Sequence, residues 1–170
     1  KIVIAGYGKF GRLALSRLSK LDSSDKIIVL DTESKNLVIP DGAEFSFHKT
    51  DVVNFLETVP DDEEDFLLIP TAPFHIAAAY LSKVSTKLGF AEINHSLIEN
   101  LPNVFILDQF NVCCSYSDFL CPDDCSESER CSVTGEIRLP LYEKLEGLGE
   151  PDSPVVVLRS HQCLPGVGGF

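Results

Sequence analysis

The sequence predicts an α/β fold built on a doubly wound, mainly parallel sheet, followed by an extension that contains cysteines. Three observations support this prediction: short apolar runs alternate with helical periods, their connections are short, and a glycine-rich turn separates the first pair. Such alternation implies crossover connections and a parallel sheet covered by helices on both faces. The 170 residues are enough for a hydrophobic core without disulfides.

The first strand and the first helix are the clearest elements. Residues 1–5 form a short apolar run that breaks at Gly6, as expected for a buried parallel strand. Apolar residues then recur at steps of three and four, which indicates one face of a helix. A second strand is predicted at 27–30 and ends in Asp31. The residues of the helical face are Phe10, Leu13, Ala14, Leu18 and Leu21.

The same alternation continues along the chain. Pro73 falls in the first turn of the longest later helix, where a proline costs no hydrogen bond. The elements predicted after Asp31 are a strand at 44–47, a helix at 52–59, a strand at 66–69, a helix at 73–88, a strand at 90–94, a helix at 96–100, a strand at 104–107, a helix at 139–148 and a final strand at 155–159.

The charge balance excludes two classes of partner. The chain has 14 Lys and Arg against 26 Asp and Glu, a formal net charge of −12, and no basic segment offsets it. Nucleic acids and anionic membrane surfaces would be repelled, so neither is expected as a partner. No apolar run approaches the roughly 20 residues of a membrane-spanning helix. Because no secretory leader pattern opens the chain either, a cytoplasmic location is expected.

A glycine motif lies between the first strand and the first helix. Gly6, Gly8 and Gly11 form the pattern G-x-G-x-x-G, and each glycine has a physical task at this place. The first allows a tight turn, the second lets the backbone approach a pyrophosphate, and the third brings helix and strand close together. The amides that open the helix would then face the phosphates. The alternative is a structural turn without a ligand.

Asp31 completes this pattern. It lies 20 residues after Gly11, at a strand end where a carboxylate can accept hydrogen bonds from the hydroxyls of an adenosine ribose. A 2′-phosphate would be repelled and no Arg follows directly, so NAD is expected rather than NADP. The residues expected at the dinucleotide are Gly6, Gly8, Lys9, Phe10, Gly11, Asp31, Thr32, Asp51, Thr71 and Ala72.

Residues 1–108 resemble the NAD-binding Rossmann domains of potassium-conductance regulators, of saccharopine-type dehydrogenases and of the sirohaem-synthesis dehydrogenase. The likeness rests on the glycine motif and Asp31. Residues 49–52 are similar to the adenine-side segment after the third strand, and residues 70–75 to the loop beside the nicotinamide. The resemblance implies a bound dinucleotide and leaves catalysis and sensing both open.

All six cysteines lie after residue 112. Four of them are spaced as C-x6-C-x3-C-x5-C in a polar segment, and thiolates gathered in this way suit Zn or an iron–sulfur cluster. The spacing matches neither ferredoxin runs nor the C-x2-C pairs of zinc sites, so a redox-sensitive disulfide or reduced thiols are the alternatives. The candidate ligands are Cys114, Cys121, Cys125 and Cys131.

Two further features lie near residue 170. His161 and Cys163 follow the last predicted strand on the same side of it. Either residue is a candidate to complete a metal site, and His161 is also a candidate acid or base, with a structural histidine as the alternative. Residues 164–170 are rich in glycine, which would let the backbone lie close to a ligand. They are expected to open a further segment, since no helix follows to cover the last strand.

These observations predict a dinucleotide-binding domain over residues 1–111, with a cysteine-containing loop, helix and strand over 112–170 packed on the same domain. Three functions fit them: an NAD-dependent oxidoreductase of unknown substrate, a module that senses NAD or NADH without catalysis, and a metal or iron–sulfur protein. The oxidoreductase-like protein is the first expectation and the sensor the second. A homodimer is the assembly considered for either.

Overall fold

The computed structural model describes residues 1–21, 24–33, 44–60, 65–84, 92–125, 128–152 and 155–170. The chain divides into two compact units. The first unit comprises Lys1–Leu88 and Ser160–Phe170, and the second unit comprises Gly89–Arg159.

A four-stranded parallel sheet forms the centre of the first unit. Its strands are β1 (Ile2–Ala5), β2 (Ile27–Asp31), β3 (Phe45–Lys49) and β4 (Leu67–Pro70), in the spatial order β3-β2-β1-β4. The chain moves outward from β1 to β3 and then adds β4 on the other side of β1. The carboxyl ends of β1 and β4 therefore flank a topological switch point, where open parallel sheets bind their ligands.

Helices cover both faces of this sheet. α1 (Lys9–Leu18) packs on one face, and α2 (Val52–Thr58) and α3 (Ile76–Val84) pack on the other. Because successive side chains of a strand point to opposite faces, Ile4 joins the cluster beneath α1 and Val3 joins the cluster beneath α2 and α3. The predicted α/β fold with a mainly parallel sheet is confirmed.

α3 begins three residues later than predicted, at Ile76 rather than at Pro73. The backbone N–H of Thr71 donates to the carbonyl oxygen of Ala5 at 2.9 Å, which holds the end of β4 against the end of β1. The chain then bends across the sheet edge before the helix starts. Residues 85–88 of the predicted helix lie outside the described residues.

The second unit contains a short antiparallel ribbon. β5 (Phe105–Ile106) pairs with β6 (Val112–Cys113), so the strand predicted at 104–107 does not join the parallel sheet. Residues 92–94 form no strand, which contradicts the prediction for that segment, and residues 90–91 lie outside the described residues. The alternation of apolar runs and helical periods is a local pattern. Which sheet a strand joins depends on the strand with which it pairs, and the local pattern does not reveal that pairing.

Two short helices of the second unit match predicted ones. They are α4 (His95–Ile98) and α5 (Leu141–Glu146). No described residue of this unit is buried, so the described residues of the unit form no hydrophobic core of their own. In neither unit do the described residues form a helix that is both long and apolar enough to cross a membrane.

The last residues of the chain form a hairpin in the first unit. β7 (His161–Leu164) pairs antiparallel with β8 (Val167–Gly169), and the turn between them contains Gly166 with a φ of +65°. Leu68 of β4 and Phe170 exchange two backbone hydrogen bonds, of 3.1 and 2.8 Å. The end of the hairpin is therefore hydrogen-bonded to β4.

The hairpin corrects the prediction for the end of the chain. Residues 155–159 form no strand, and the strand begins instead at His161, because the position of the turn decides which residues pair. Residues 164–170 include the turn and β8, and the ligand contact and the further segment expected there stay predictions. A Cβ at Gly169 would lie 2.8 Å from Leu67 Cδ1 and 3.1 Å from the carbonyl oxygen of Leu68, so the hairpin packs closely on β4 at this residue.

Candidate functional site

A tight glycine turn, residues 6–11, connects β1 to α1 at the switch point. Gly6 has a φ of +106°, a conformation that L side chains rarely adopt, and a Cβ there would lie 3.0 Å from the backbone N of Ala72. A Cβ at Gly11 would lie only 2.0 Å from the carbonyl oxygen of Gly6. Both glycines therefore serve the packing of the turn against its neighbours.

Gly8 differs from these two because the space around it is open. It is the N-cap of α1, with φ −71° and ψ −159°, and a Cβ there would meet no atom within 4 Å. This glycine provides no side-chain cap, and the first turn of α1 contains no acidic side chain. The amides that open a helix lack intrahelical partners and form the positive end of its dipole. The turn thus offers an anion both space and donors.

Two basic side chains lie at the same turn. Lys9 Nζ lies 5.3 Å from the centroid of the Phe10 ring. Arg12 donates from Nη1 to the carbonyl oxygen of Tyr7 at 3.4 Å. Phe10 is 56% exposed, although the helical period assigns it to the apolar face, where Ala14 and Leu18 are buried. In a chain of net charge −12, these cations make the turn locally favourable for a phosphate.

Asp31 ends β2 and reaches the glycine turn. Its Oδ2 accepts a hydrogen bond from the backbone N–H of Tyr7 at 2.6 Å, and its Oδ1 accepts one from Glu33 at 2.8 Å. A carboxylate offers about four acceptor positions, so two remain for hydroxyl donors. The structure therefore brings Asp31 and the glycine turn together. Thr32, which follows, is exposed.

The Tyr7 side chain packs the glycine turn against two aromatic residues of β3. Its ring is buried, with its centroid 6.5 Å from that of Phe45 and 6.4 Å from that of Phe47. Burial raises the pKa of the Tyr7 hydroxyl, an effect that Arg12 partly opposes, so the phenol is neutral at physiological pH. Sequence reasoning missed this residue because its link to Asp31 uses only the backbone.

Thr71 and Ala72 border the glycine turn on its β4 side. Thr71 Oγ1 lies 2.9 Å from the carbonyl oxygen of Ala5 and 2.8 Å from that of Gly6. Its hydroxyl proton is therefore directed at the end of β1, and this hydrogen bonding links the end of β4 to the end of β1. The backbone N of Ala72 is the atom that a Cβ at Gly6 would meet first.

Asp51 caps the N-terminus of helix α2. Its Oδ1 accepts hydrogen bonds from the N–H groups of Val53 at 2.8 Å and Asn54 at 3.3 Å. It lies just after β3, on the far side of β2 from the glycine turn. Its contact with an adenine stays a prediction.

A cleft of about 390 Å³ opens beside the glycine turn. It is bounded by the start of α1, the end of β4 and the turn of the β7–β8 hairpin, and Arg17 of α1 donates to the carbonyl oxygen of Pro165 in that turn. Volumes of this size hold small organic ligands. The residues that line the cleft are Phe10, Ala14, Ile69, Pro70, Thr71, Ala72, Pro73, Gly166, Val167 and Gly168.

Sequence reasoning missed the hairpin's contribution to this cleft. Gly166 and Gly168 reach it because Phe170 pairs with Leu68, and pairing between distant residues leaves no local periodicity. The available signal was the glycine content of residues 164–170, which indicates a close backbone approach.

The four predicted metal ligands lie in the second unit. Within the described ranges, no three His, Cys, Asp or Glu side chains are grouped so that they could hold a metal ion. A Zn or iron–sulfur site therefore stays a prediction. His161 and Cys163 lie on β7, where both are exposed and Cys163 Sγ donates to the carbonyl oxygen of His161 at 3.4 Å. The predicted ligands are Cys114, Cys121, Cys125 and Cys131.

Two of these thiols differ in acidity. Burial, and next the neighbouring Cys113, raises the pKa of Cys114. Hydrogen bonds from Thr134 and Val133 lower the pKa of Cys131 to about 7. The backbone N–H of Thr134 lies 3.5 Å from its Sγ. Cys131 therefore has a substantial thiolate fraction at neutral pH.

Alkylation of Cys131 by iodoacetamide is expected to accelerate with rising pH about a midpoint near 7, because the thiolate is the nucleophile. Thr134→Val removes the hydroxyl donor and should move that midpoint up, toward the ordinary thiol value of about 8.5. Mass spectrometry of the Cys131 peptide after timed exposures gives the rate. A wild-type midpoint near 8.5, or one that Thr134→Val leaves in place, would contradict these hydrogen bonds.

A larger depression, of about 880 Å³ and widely open to solvent, lies on the surface of the second unit. Arg138 forms an ion pair with Glu136 at 3.1 Å and lies 5.9 Å from the ring centroid of Tyr116. Glu143 and Lys144 also line this depression. Because charges of both signs compensate each other along its walls, they favour neither an anion nor a cation.

The fold and the turn define a class of protein: an α/β domain with a glycine turn at the switch point of its parallel sheet. The chain belongs to the family AF_1314_C, described as "Uncharacterized protein, C-terminal domain", whose model matches residues 73–170, more than half of the chain. That match begins after β4 and includes the hairpin, so the glycine turn lies outside it. No curated protein and no solved structure matches the chain.

Proposed function

We propose that the first unit binds a dinucleotide, NAD or NADH, as a Rossmann-type domain does. The observation that carries this proposal is Gly8, where a helix N-terminus without a side-chain cap faces open space. Gly6 and Gly11 are required by packing, so the space is confined to the middle glycine, where a pyrophosphate would approach the backbone. The strand order β3-β2-β1-β4 supports the proposal, since dinucleotide-binding sheets use this order.

Asp31 favours NAD over NADP. Its two remaining acceptor positions suit the two hydroxyls of an adenosine ribose, and its negative charge disfavours a 2′-phosphate. Because the same carboxylate holds the Tyr7 amide, the group that would bind the ribose also fixes the turn that would bind the phosphates.

Sensing is favoured over catalysis by the composition of the cleft. Reduction of a carbonyl or imine needs a proton donor near the nicotinamide ring. Of the described residues that line the cleft, only Thr71 has an exchangeable side-chain proton, and that proton is directed at the carbonyls of Ala5 and Gly6. We therefore favour a ligand-responsive module, by analogy with the potassium-conductance regulators that the sequence resembles, over an oxidoreductase.

NADPH is expected to bind at least about tenfold more weakly than NADH, because its 2′-phosphate would meet the carboxylate of Asp31. Asp31→Asn removes this charge and one strong acceptor, so NADH should weaken by about tenfold and the difference between the two cofactors should shrink. Calorimetric titration of the full chain measures both affinities.

Asp65→Asn is the matched control for this experiment. Asp65 is exposed and lies before the amino end of β4, whereas Asp31 lies at the carboxyl end of β2. The same change of charge at Asp65 should therefore leave both affinities unaltered. Equal affinity for NADH and NADPH in the wild type, or equal effects of the two substitutions, would contradict the role of Asp31. Absence of saturable binding at millimolar NADH would contradict the proposed function itself.

A further inference from the structure

We propose that the cleft beside the glycine turn selects the reduced cofactor, so that the first unit binds NADH in preference to NAD. This inference rests on the proposed function and adds the regulation of the same site. The two cofactor forms share their pyrophosphate and riboses. They differ at one ring, which is a neutral dihydropyridine in NADH and a cationic pyridinium in NAD.

Among the residues that the structure describes, the cleft offers no counter-ion for a cation. Its lining is made by apolar side chains, by glycine and by Thr71, and none of these residues is ionisable. The carbonyl oxygens of Ala5 and Gly6 already accept from Thr71. Transfer of a charged ring from water to such a surface is unfavourable unless an opposite charge accompanies it, whereas a neutral ring gains from apolar contact.

Positive charge also lies at the glycine turn, on the side of the cleft. Lys9 Nζ lies 5.3 Å from the ring centroid of Phe10, and Phe10 lines the cleft. The positive end of the α1 dipole opens on the same side. Both would raise the free energy of a pyridinium there and would leave a dihydropyridine nearly unaffected.

The carboxylate of Asp31 does not offset this effect. β2 is separated from β4 by β1, so the ends of β2 and β4 lie about 10 Å apart at the usual strand spacing. Both oxygens of Asp31 also accept backbone hydrogen bonds. At about 0.15 M salt, charges separated by more than about 8 Å are largely screened, which also limits the effect of the chain's overall negative charge.

The expected consequence is a preference of at least about tenfold for NADH over NAD at equilibrium. The first unit would then be occupied according to the reduction state of the cofactor pool rather than its total size. The absence of a proton donor among the described residues of the cleft suits this role, because a module that reports the reduction state should not itself consume NADH.

Calorimetric titrations of the full chain with NADH and with NAD, at about 0.15 M salt, test the inference. The wild type should bind NADH at least about tenfold more tightly. Phe10→Glu introduces a carboxylate at the exposed rim of the cleft and should bring the two affinities to within about threefold of each other. Phe10→Gln, which adds no charge, should keep the wild-type ratio.

Repulsion between the introduced carboxylate and the pyrophosphate acts on both cofactors alike. The ratio of the NADH and NAD affinities therefore measures only the effect of the charge on the nicotinamide ring. Equal wild-type affinities for NADH and NAD would overturn the selectivity and leave the proposed function intact. A ratio that Phe10→Glu leaves unchanged would overturn the electrostatic cause. If neither cofactor binds, the inference and the proposed function fail together.

Discussion

Gly11→Ala is expected to lower the free energy of unfolding by about 3 kcal/mol, the upper part of the range for overpacked sites. The new Cβ would lie 2.0 Å from the carbonyl oxygen of Gly6, and both are fixed by backbone rather than by a flexible side chain. The helix could make room only by moving away from β1, which would loosen the contacts of Ala14 and Leu15 with the sheet. Urea denaturation followed by circular dichroism measures the change.

Gly8→Ala is the control for this prediction, because it is the same substitution in the same turn. Its Cβ meets nothing within 4 Å and its φ of −71° suits any residue. Its expected cost is about 1 kcal/mol or less, from the poorer N-cap. If the two variants unfolded at the same urea concentration, the close packing of α1 on the turn would be contradicted.

Gly8→Asp is expected to change stability and binding in opposite directions. Asp is among the best N-cap residues, and its charge at the helix N-terminus interacts favourably with the dipole, so the free energy of unfolding should rise by about 0.5 kcal/mol. The same carboxylate would occupy the space at Gly8 and repel a pyrophosphate. NADH affinity should therefore fall by about a hundredfold or more. Urea denaturation and calorimetry provide the two measurements.

Gly8→Asn separates charge from bulk in this experiment. Asn caps a helix as well as Asp does but has no charge, so it should stabilise α1 while weakening NADH less than Gly8→Asp. Unchanged NADH affinity in Gly8→Asp would mean that the ligand binds elsewhere. A loss of stability in that variant would contradict the open space around Gly8.

The fold of the first unit was predicted where local patterns decide the structure. The apolar run before Gly6 and the helical period after it identified β1 and α1, and Asp31 was correctly assigned to the end of β2. Predictions failed where pairing is long-range. The strand at 155–159 was wrong because the hairpin turn, which local hydrophobicity does not reveal, determines that pairing begins at His161.

The residues of the candidate site also fall into two groups, those with a local sequence signature and those without one. The glycines and Asp31 have a sequence signature because their tasks are fixed by a strand-to-helix turn. The link from Tyr7 to Asp31 uses a backbone amide, which every residue type except proline provides, so no signature exists for it. The exposure of Phe10 was not predicted either, because the helical period identifies a face but not where the supporting sheet ends.

An NMR titration of the ¹⁵N-labelled full chain with NADH is the most direct test of dinucleotide binding at the glycine turn. We expect saturable shifts that are largest for the amides of residues 8–11, where the pyrophosphate would accept hydrogen bonds at the start of α1. Smaller shifts are expected at Gly166 and Gly168 in the cleft. Saturable shifts centred on Tyr116 and Arg138 in the second unit, or none at millimolar NADH, would contradict binding at this turn.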